Sequence, residues 1–205
     1  MKNLFIVLDG IDGCGKSTQL TLLHGYLFRK DKRFRILSTR EPTYGTYGSK
    51  IREMLKAHKD PYSDSGKLLD LYVKDRKEHL ESAIEPFLSQ KGGNISIVLC
   101  DRYYYSTISY QAAQGIEVEK AVAMNRGFLK PDIAIILDVD EKTAISRIRV
   151  NRQIEKFEDV EFMSKLRHNF LSMKNILNDK IALIETSGTR EETAMKIRKE
   201  IDKFL

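Results

Sequence analysis

Apolar and polar positions fall into blocks along the chain: short unbroken apolar runs, then longer stretches in which apolar residues recur every three or four positions. Leu4-Phe5-Ile6-Val7-Leu8 is too short for a typical helix and rich in strand formers, so it predicts a strand buried on both faces. Arg35–Thr39, Ile95–Cys100, Ile133–Leu137 and Ile181–Glu185 read as four more strands. Between them the helical period takes over. Ser17–Lys30 puts Leu20, Leu23 and Leu27 at i, i+3 and i+7, a stripe that packs on a sheet. Further helices are predicted over Ser49–His58, roughly Asp64–Gln90, Lys142–Val150, Asp159–Asn178 and Arg190–Phe204. Pro86 conflicts with the long one, and either kinks it or starts a new segment after Glu85. Five strands alternate with helices, without internal repeat, low-complexity tract or long linker. That pattern predicts one α/β domain, doubly wound around a five-stranded, mainly parallel sheet.

Composition narrows the classes. A chain of 205 residues with 41% hydrophobic content suits one compact domain with a sizeable core. No window approaches the roughly 18 consecutive apolar residues of a membrane span, and no signal-peptide pattern precedes the first strand. A soluble, cytoplasmic protein with no membrane partner is expected. Cys14 and Cys100 are the only cysteines, and their positions suggest neither a disulfide framework nor a metal site. The formal charge of +6 comes from scattered lysines and arginines, which argues against a nucleic-acid surface and suits an enzyme with polyanionic ligands.

The chemistry begins directly after the first strand. Gly10-Ile11-Asp12-Gly13-Cys14-Gly15-Lys16-Ser17 fits G-x-x-x-x-G-K-[ST], and with Thr18 it stands between a strand and a helix as that motif requires. The glycines let successive N–H groups converge on phosphate oxygens at a helix N-terminus. Lys16 brings a charge to the β- and γ-phosphates, and the Ser17 hydroxyl is a natural Mg²⁺ ligand. Asp101, at the end of an apolar strand, is either the second Mg²⁺-side group or, with Arg102, a helix cap and its neighbour. Arg40-Glu41-Pro42 sits at another strand's C-terminal end, where open α/β sheets bind ligands. Tyr72 and Arg76, four apart, share a helix face; they hold a flat polar ring, or else are a core-facing tyrosine beside a surface arginine. Tyr103–Gln114 is rich in aromatics and hydroxyls and can line a nucleoside pocket. Arg147, Arg149 and Arg152 precede the polar segment Gln153–Glu158, where arginines on a mobile lid around 147–158 can close over phosphates.

The ordered set DGIDGCGKST (Asp9–Thr18), TREP (Thr39–Pro42), GSKIR (Gly48–Arg52), DRKEH (Asp75–His79) with Pro86, DRYYYSTISYQ (Asp101–Gln111) and KPDIAIILD (Lys130–Asp138) resembles the thymidylate kinase family over almost the whole chain. The resemblance implies phosphoryl transfer from ATP to dTMP with Mg²⁺, in a homodimer. It further implies that Asp9 holds the acceptor's sugar or phosphate end and Arg102 its monophosphate. Arg76 would hydrogen-bond the thymine, Tyr72 stack on it, Thr107 sit near its polar edge and Tyr110 lie against the sugar, with Glu41, Pro42 and Gln111 in the same acceptor-binding set. The phosphate loop carries no arginine, so Arg149 or Arg152 would supply the catalytic positive charge from the lid.

The sequence also departs from the family pattern. Tyr72 replaces the usual phenylalanine, Thr43-Tyr44-Gly45-Thr46 replaces a Gly-Gly-Thr run, and Glu155-Lys156-Phe157-Glu158 replaces an Asp-Arg pair in the lid. A kinase for another monophosphate such as dUMP is the nearest rival reading. A nucleotide switch or nucleic-acid-binding ATPase is a more distant one, since there is no Asn-Lys-x-Asp guanine motif and no basic stripe.

Overall fold

The computed structural model describes residues 2–57, 60, 62–151 and 159–205. The apolar runs form β1 (Leu4–Asp9), β2 (Phe34–Arg40), β3 (Ile95–Asp101), β4 (Ile133–Asp138) and β5 (Ile181–Glu185). All neighbouring pairs are parallel, in the order β2-β3-β1-β4-β5, with Leu4 opposite Ile97 and Ile6 opposite Ile133. Every residue of β1 and β3 is buried, which is why those runs show no alternation. The edge strands β2 and β5 keep partly exposed positions.

Helices α1 (Lys16–Lys30), α2 (Thr46–Ala57) and α3 (Ser65–His79) precede β3. The long helix expected over Asp64–Gln90 is interrupted: α3 ends at His79, one π-helical turn spans Leu80–Ile84, and α4 covers Glu85–Leu88. Pro86 sits in the first turn of α4, where its missing N–H costs nothing. The wider turn before it, closed by Glu85 N–H to the Leu80 carbonyl, lets the chain pass into that segment.

After β3 come α5 (Tyr104–Ala113), α6 (Val118–Asn125), α7 (Glu141–Asn151), α8 (Val160–Ile176) and α9 (Arg190–Ile201). The sequence pattern does not predict α6, which is eight residues long and buries only Ala121 and Asn125. Asp159 caps α8, its side chain accepting from Phe162 N–H at 3.0 Å. Phe162, Met163, Leu166, Phe170 and Met173 form the buried face of α8, which packs against α5. Leu23 and Leu27 of α1 are buried in the core and Leu20 packs against it. The parallel strands deliver Asp9, Arg40 and Asp101 to one edge of the sheet. The ligand crevice of an open parallel sheet lies at that edge.

Candidate active site

Glycine is required in the loop between β1 and α1. Gly10 has φ +138° and Gly13 φ +79°; a Cβ would come within 2.5 Å of the Leu137 carbonyl oxygen at Gly10, and 2.4 Å of that of Ala144 at Gly13. Helix α1 starts after Gly15 with no side-chain cap, so its first N–H groups and positive dipole end are left for an anion. Lys16 folds back over the loop, donating to the Gly10 and Ile11 carbonyls at 2.9 Å each, with its ammonium 3.7 Å from the Asp12 carboxylate. Ile11 and Cys14 turn into the core, and burial pushes the Cys14 thiol above its ordinary pKa. Thr18, Lys16, Ser17 and Arg147 all border one cavity of about 640 Å³ over this loop.

On one side of the loop, Ser17 Oγ donates to Asp101 Oδ2 at 3.1 Å. Asp101 Oδ1 is buried with no hydrogen-bond partner among the described residues. A hydroxyl beside an unpaired carboxylate oxygen is a donor set suited to a hard cation.

On the other side stands Arg102, whose backbone is left-handed at φ +70°. Its N–H donates to the Leu8 carbonyl at 2.9 Å, and its own carbonyl accepts from Cys100 Sγ at 3.0 Å, which hold it in that conformation. The guanidinium pairs with Asp12 and donates to Ser106 Oγ at 3.0 Å, while the Tyr110 hydroxyl donates to the other Asp12 oxygen at 3.1 Å. Burial raises the Tyr110 phenol well above its ordinary value. Asp12 therefore faces the Arg102–Tyr110 cluster as well as Lys16.

Asp9 is fully buried beneath this cluster. Its Oδ1 accepts from Gly10 N–H (2.9 Å) and Ser106 Oγ (2.6 Å), and its Oδ2 from Tyr103 and Ser106 N–H (3.0 Å each). The carboxylate thus anchors the start of α5. Burial raises its pKa, against the pull of Arg102, Ser106 and Lys16.

Arg76 is the buried member of the α3 pair and Tyr72 the half-buried one, which reverses the core-tyrosine, surface-arginine alternative. Arg76 Nη2 donates to Glu41 Oε2 at 2.7 Å and Thr107 Oγ1 at 2.9 Å, and Nη1 donates to Asn125 Oδ1. Its guanidinium lies over the Tyr103 ring, 4.9 Å from the centroid. Nε has no partner among the described residues, and neither has Oε1 of Gln111, one turn beyond Thr107 on α5. Burial pushes the Tyr72 phenol up to about 12. Glu41 joins Pro42 through a cis peptide, and Arg52 donates to the Pro42 and Thr43 carbonyls.

Lys16, Ser17 and Asp101 thus meet at the loop, while Arg76, Glu41 and Thr107 meet on α5. Of the arginines expected in a lid, Arg147 borders the loop cavity and donates to the Thr186 carbonyl at 2.8 Å. Arg149 is exposed near the end of α7, and Arg152 with Gln153–Glu158 lies outside the described residues. Sequence reasoning placed Ser106 only within a pocket-lining stretch, missed Asn125, and gave Asp12 only a loop role. Their partners are 97, 49 and 90 residues away, and no local pattern announces such pairings.

A parallel sheet with a phosphate loop after its first strand, a Ser–Asp pair beside it and a buried arginine cluster opposite defines a phosphate-loop nucleotide kinase. Comparison with known proteins narrows the class. The family model described as Thymidylate kinase matches residues 8–197. A probable thymidylate kinase of Pyrococcus horikoshii is 36% identical over 179 residues, covering 84% of this chain and 83% of its own. The thymidylate kinase of Caldicellulosiruptor saccharolyticus is 35% identical, covering 100% of this chain and 98% of its own. That of Desulfotalea psychrophila is 37% identical, covering 82% and 80%. The chain belongs to the thymidylate kinase family, enzymes that phosphorylate dTMP with ATP as donor.

Proposed function

We propose that this chain moves the γ-phosphoryl group of ATP to dTMP, with the loop Gly10–Thr18 on the donor side and the face of α5 on the acceptor side. One observation carries the reading: Lys16 and Arg102, the cations expected on the two phosphates, both reach a single carboxylate, that of Asp12. Two phosphates bound by those cations would lie side by side, as transfer between them requires.

The acceptor oxygen is already anionic at neutral pH, so no strong general base is needed. The residues instead bind, align and neutralise. Lys16 and the loop amides take the ATP phosphates; Arg102 takes the monophosphate, with Tyr110 and Asp12 beside it toward the sugar. Ser17 and the unpaired Oδ1 of Asp101 would hold Mg²⁺. Bound there, the ion supplies charge neutralisation at the phosphate oxygens.

Two unpartnered groups on the proposed acceptor side favour thymine or uracil over cytosine. Arg76 Nε–H is a spare donor and Gln111 Oε1 a spare acceptor, complementary to a carbonyl next to a ring N–H. Cytosine presents the reverse pattern. Thr107 orients Arg76, and Tyr72 offers its ring for stacking. Arg147, with Arg149 or Arg152, would close over the phosphates as the lid of a single domain. Resemblance to the family further supports a cytoplasmic homodimer, which light scattering tests.

A coupled ADP-release assay with ATP, Mg²⁺ and dTMP, dUMP, UMP, dCMP, dGMP or AMP tests the whole. We expect the highest kcat/KM with dTMP, dUMP close behind and dCMP far lower, because one methyl group is worth only ~1–3 kcal/mol but a reversed hydrogen-bond pattern costs more. Absence of turnover with every monophosphate would overturn it.

A further inference from the structure

Behind the spare N–H of Arg76 runs a single file of polar groups, buried from His79 inward, with the half-buried Thr39 at its outer end. The Thr39 hydroxyl lies 2.7 Å from His79 Nε2, His79 Nδ1 lies 3.1 Å from Glu41 Oε1, and Glu41 Oε2 accepts from Arg76 Nη2 at 2.7 Å. His79 is 4%, Glu41 3% and Arg76 0% exposed, so water does not compete for the two bonds to Glu41.

The chemistry gives the file a direction. A carboxylate only accepts, so Nδ1 of His79 carries a proton toward Glu41. With a neutral ring, Nε2 then accepts from the Thr39 hydroxyl. Each oxygen of Glu41 is thereby assigned one donor, and the carboxylate plane is fixed although its terminal torsion is intrinsically broad. Arg76 is in turn held at both outer nitrogens, by Glu41 and Thr107 on one and Asn125 on the other. Of its three nitrogens only Nε has no partner among the described residues.

We infer that His79 is a positioning residue for acceptor recognition: by pinning Glu41 it sets the turn of the Arg76 guanidinium, and so the direction of the unpartnered Nε–H that meets the pyrimidine. This rests on Arg76 being the base-binding group, as proposed above. His79 touches no reacting atom. Its loss frees one Glu41 oxygen, the carboxylate rotates, and Arg76 can offer a second donor geometry to the base.

Two substitutions of opposite design test this. His79→Asn keeps an N–H near the position of Nδ1 and so keeps Glu41 pinned. His79→Gln fills more of the histidine volume but carries its amide near Nε2, leaving Glu41 Oε1 unpaired. Positioning ranks Asn above Gln, whereas a packing role ranks Gln above Asn.

For H79Q we expect KM for dTMP to rise roughly tenfold, the loss of one buried hydrogen bond to a charged group, with kcat within about threefold. The preference for dTMP over dCMP in kcat/KM should fall by a similar factor. H79N should remain within about threefold of the parent in all three. If instead both variants lose kcat and thermal stability together, with Asn the worse, His79 is structural and the inference is overturned. Should H79Q not fold, Glu41→Gln keeps the shape without the charge and must lower the same preference; an unchanged preference overturns the inference. Arg76→Lys separates the two levels. An unchanged KM for dTMP in R76K removes the base-binding reading itself, while a raised KM in R76K beside an unaltered H79Q removes only the role of His79.

Discussion

Replacing Asp9 separates two roles for the residue that ends β1: contact with the acceptor, which family resemblance implies, and anchorage of α5, which its four hydrogen bonds describe. In Asp9→Ala, three backbone N–H groups and the Ser106 hydroxyl lose a charged acceptor inside a fully buried site. Bonds to charged groups are worth about 1.5–3 kcal/mol each, and the cost of burying the carboxylate, visible in its raised pKa, offsets part of the sum. A net loss of about 3–5 kcal/mol is expected, at the upper end for one substitution. Asp9→Asn should cost less. Its amide can turn NH₂ toward Gly10 and Ser106 Oγ, whose hydroxyl reverses to accept, so one backbone N–H is orphaned at about 1–3 kcal/mol. In a chain of this size each kcal/mol shifts the melting temperature by ~2–4 °C, which gives about 6–20 °C for D9A. Thermal melts followed by circular dichroism, with kcat measured well below the transition, read both roles at once. The order parent, D9N, D9A in melting temperature is the expected result. Two variants that melt within about 2 °C of the parent while losing turnover would refute the anchorage and return Asp9 to the substrate.

Other sites give sharper tests of single groups. Asp101→Asn keeps an oxygen for Ser17 but removes the charge, and should raise the Mg²⁺ concentration for half-maximal activity by about 10–100-fold in a Mg²⁺ titration; an unchanged midpoint would detach Asp101 from the ion. Gly13→Ala would put a Cβ 2.4 Å from the Ala144 carbonyl at φ +79°, so ATP affinity measured by calorimetry should fall along with stability, and parental values for both would contradict the loop geometry. Asp75 is raised above the ordinary aspartate value of 3.8, chiefly by burial, so the folded state binds the extra proton. Its contribution to stability is complete below about 3.8 and declines as pH rises through the folded value. The melting-temperature advantage of the parent over Asp75→Asn should therefore shrink between pH 3.5 and 7, while an advantage that widens would refute the sign.

What could be read from the sequence was whatever is local. The phosphate loop occupies consecutive residues, and its glycines, lysine and serine act where they stand. The central strands were legible because β1 and β3 are buried on both faces and have no polar alternation to confuse them. The site opposite the loop was legible only in part. Spacing put Tyr72 and Arg76 on one face of α3 but could not say which was buried, because that depends on Asn125, 49 residues on, in a short helix with no strong period. Asp9 and Asp12 lie three apart in the same motif, yet one anchors α5 and the other faces Arg102. Their directions follow from the turn at Gly10, with φ +138°, and from partners 90 and 97 residues away. The conflict at Pro86 was legible, and a new segment does begin at Glu85, but periodicity does not register the π-helical turn over Leu80–Ile84 that admits the proline.

The same few residues at the end of β1 serve both halves of the site. Leu8 accepts from the Arg102 N–H, Asp9 accepts from Tyr103 and Ser106, and Gly10 opens the phosphate loop. The face of α5 proposed to take the acceptor, with Thr107, Tyr110 and Gln111, is therefore registered against the same point of backbone as the phosphate loop proposed to take the donor. That matters because transfer between two bound phosphates needs the reacting atoms about 3–3.5 Å apart, and a 1 Å misplacement can cost roughly a hundredfold. Two sites hung on separate elements would add their positional errors. Here a shift of β1 moves both together and leaves their separation unchanged. The left-handed Arg102, at a cost of about 1–3 kcal/mol, makes this possible by turning the chain directly from β3 into α5 beside Asp9. On the proposed assignment of the two sides, strain at that residue is the consequence of fixing acceptor to donor through one strand end.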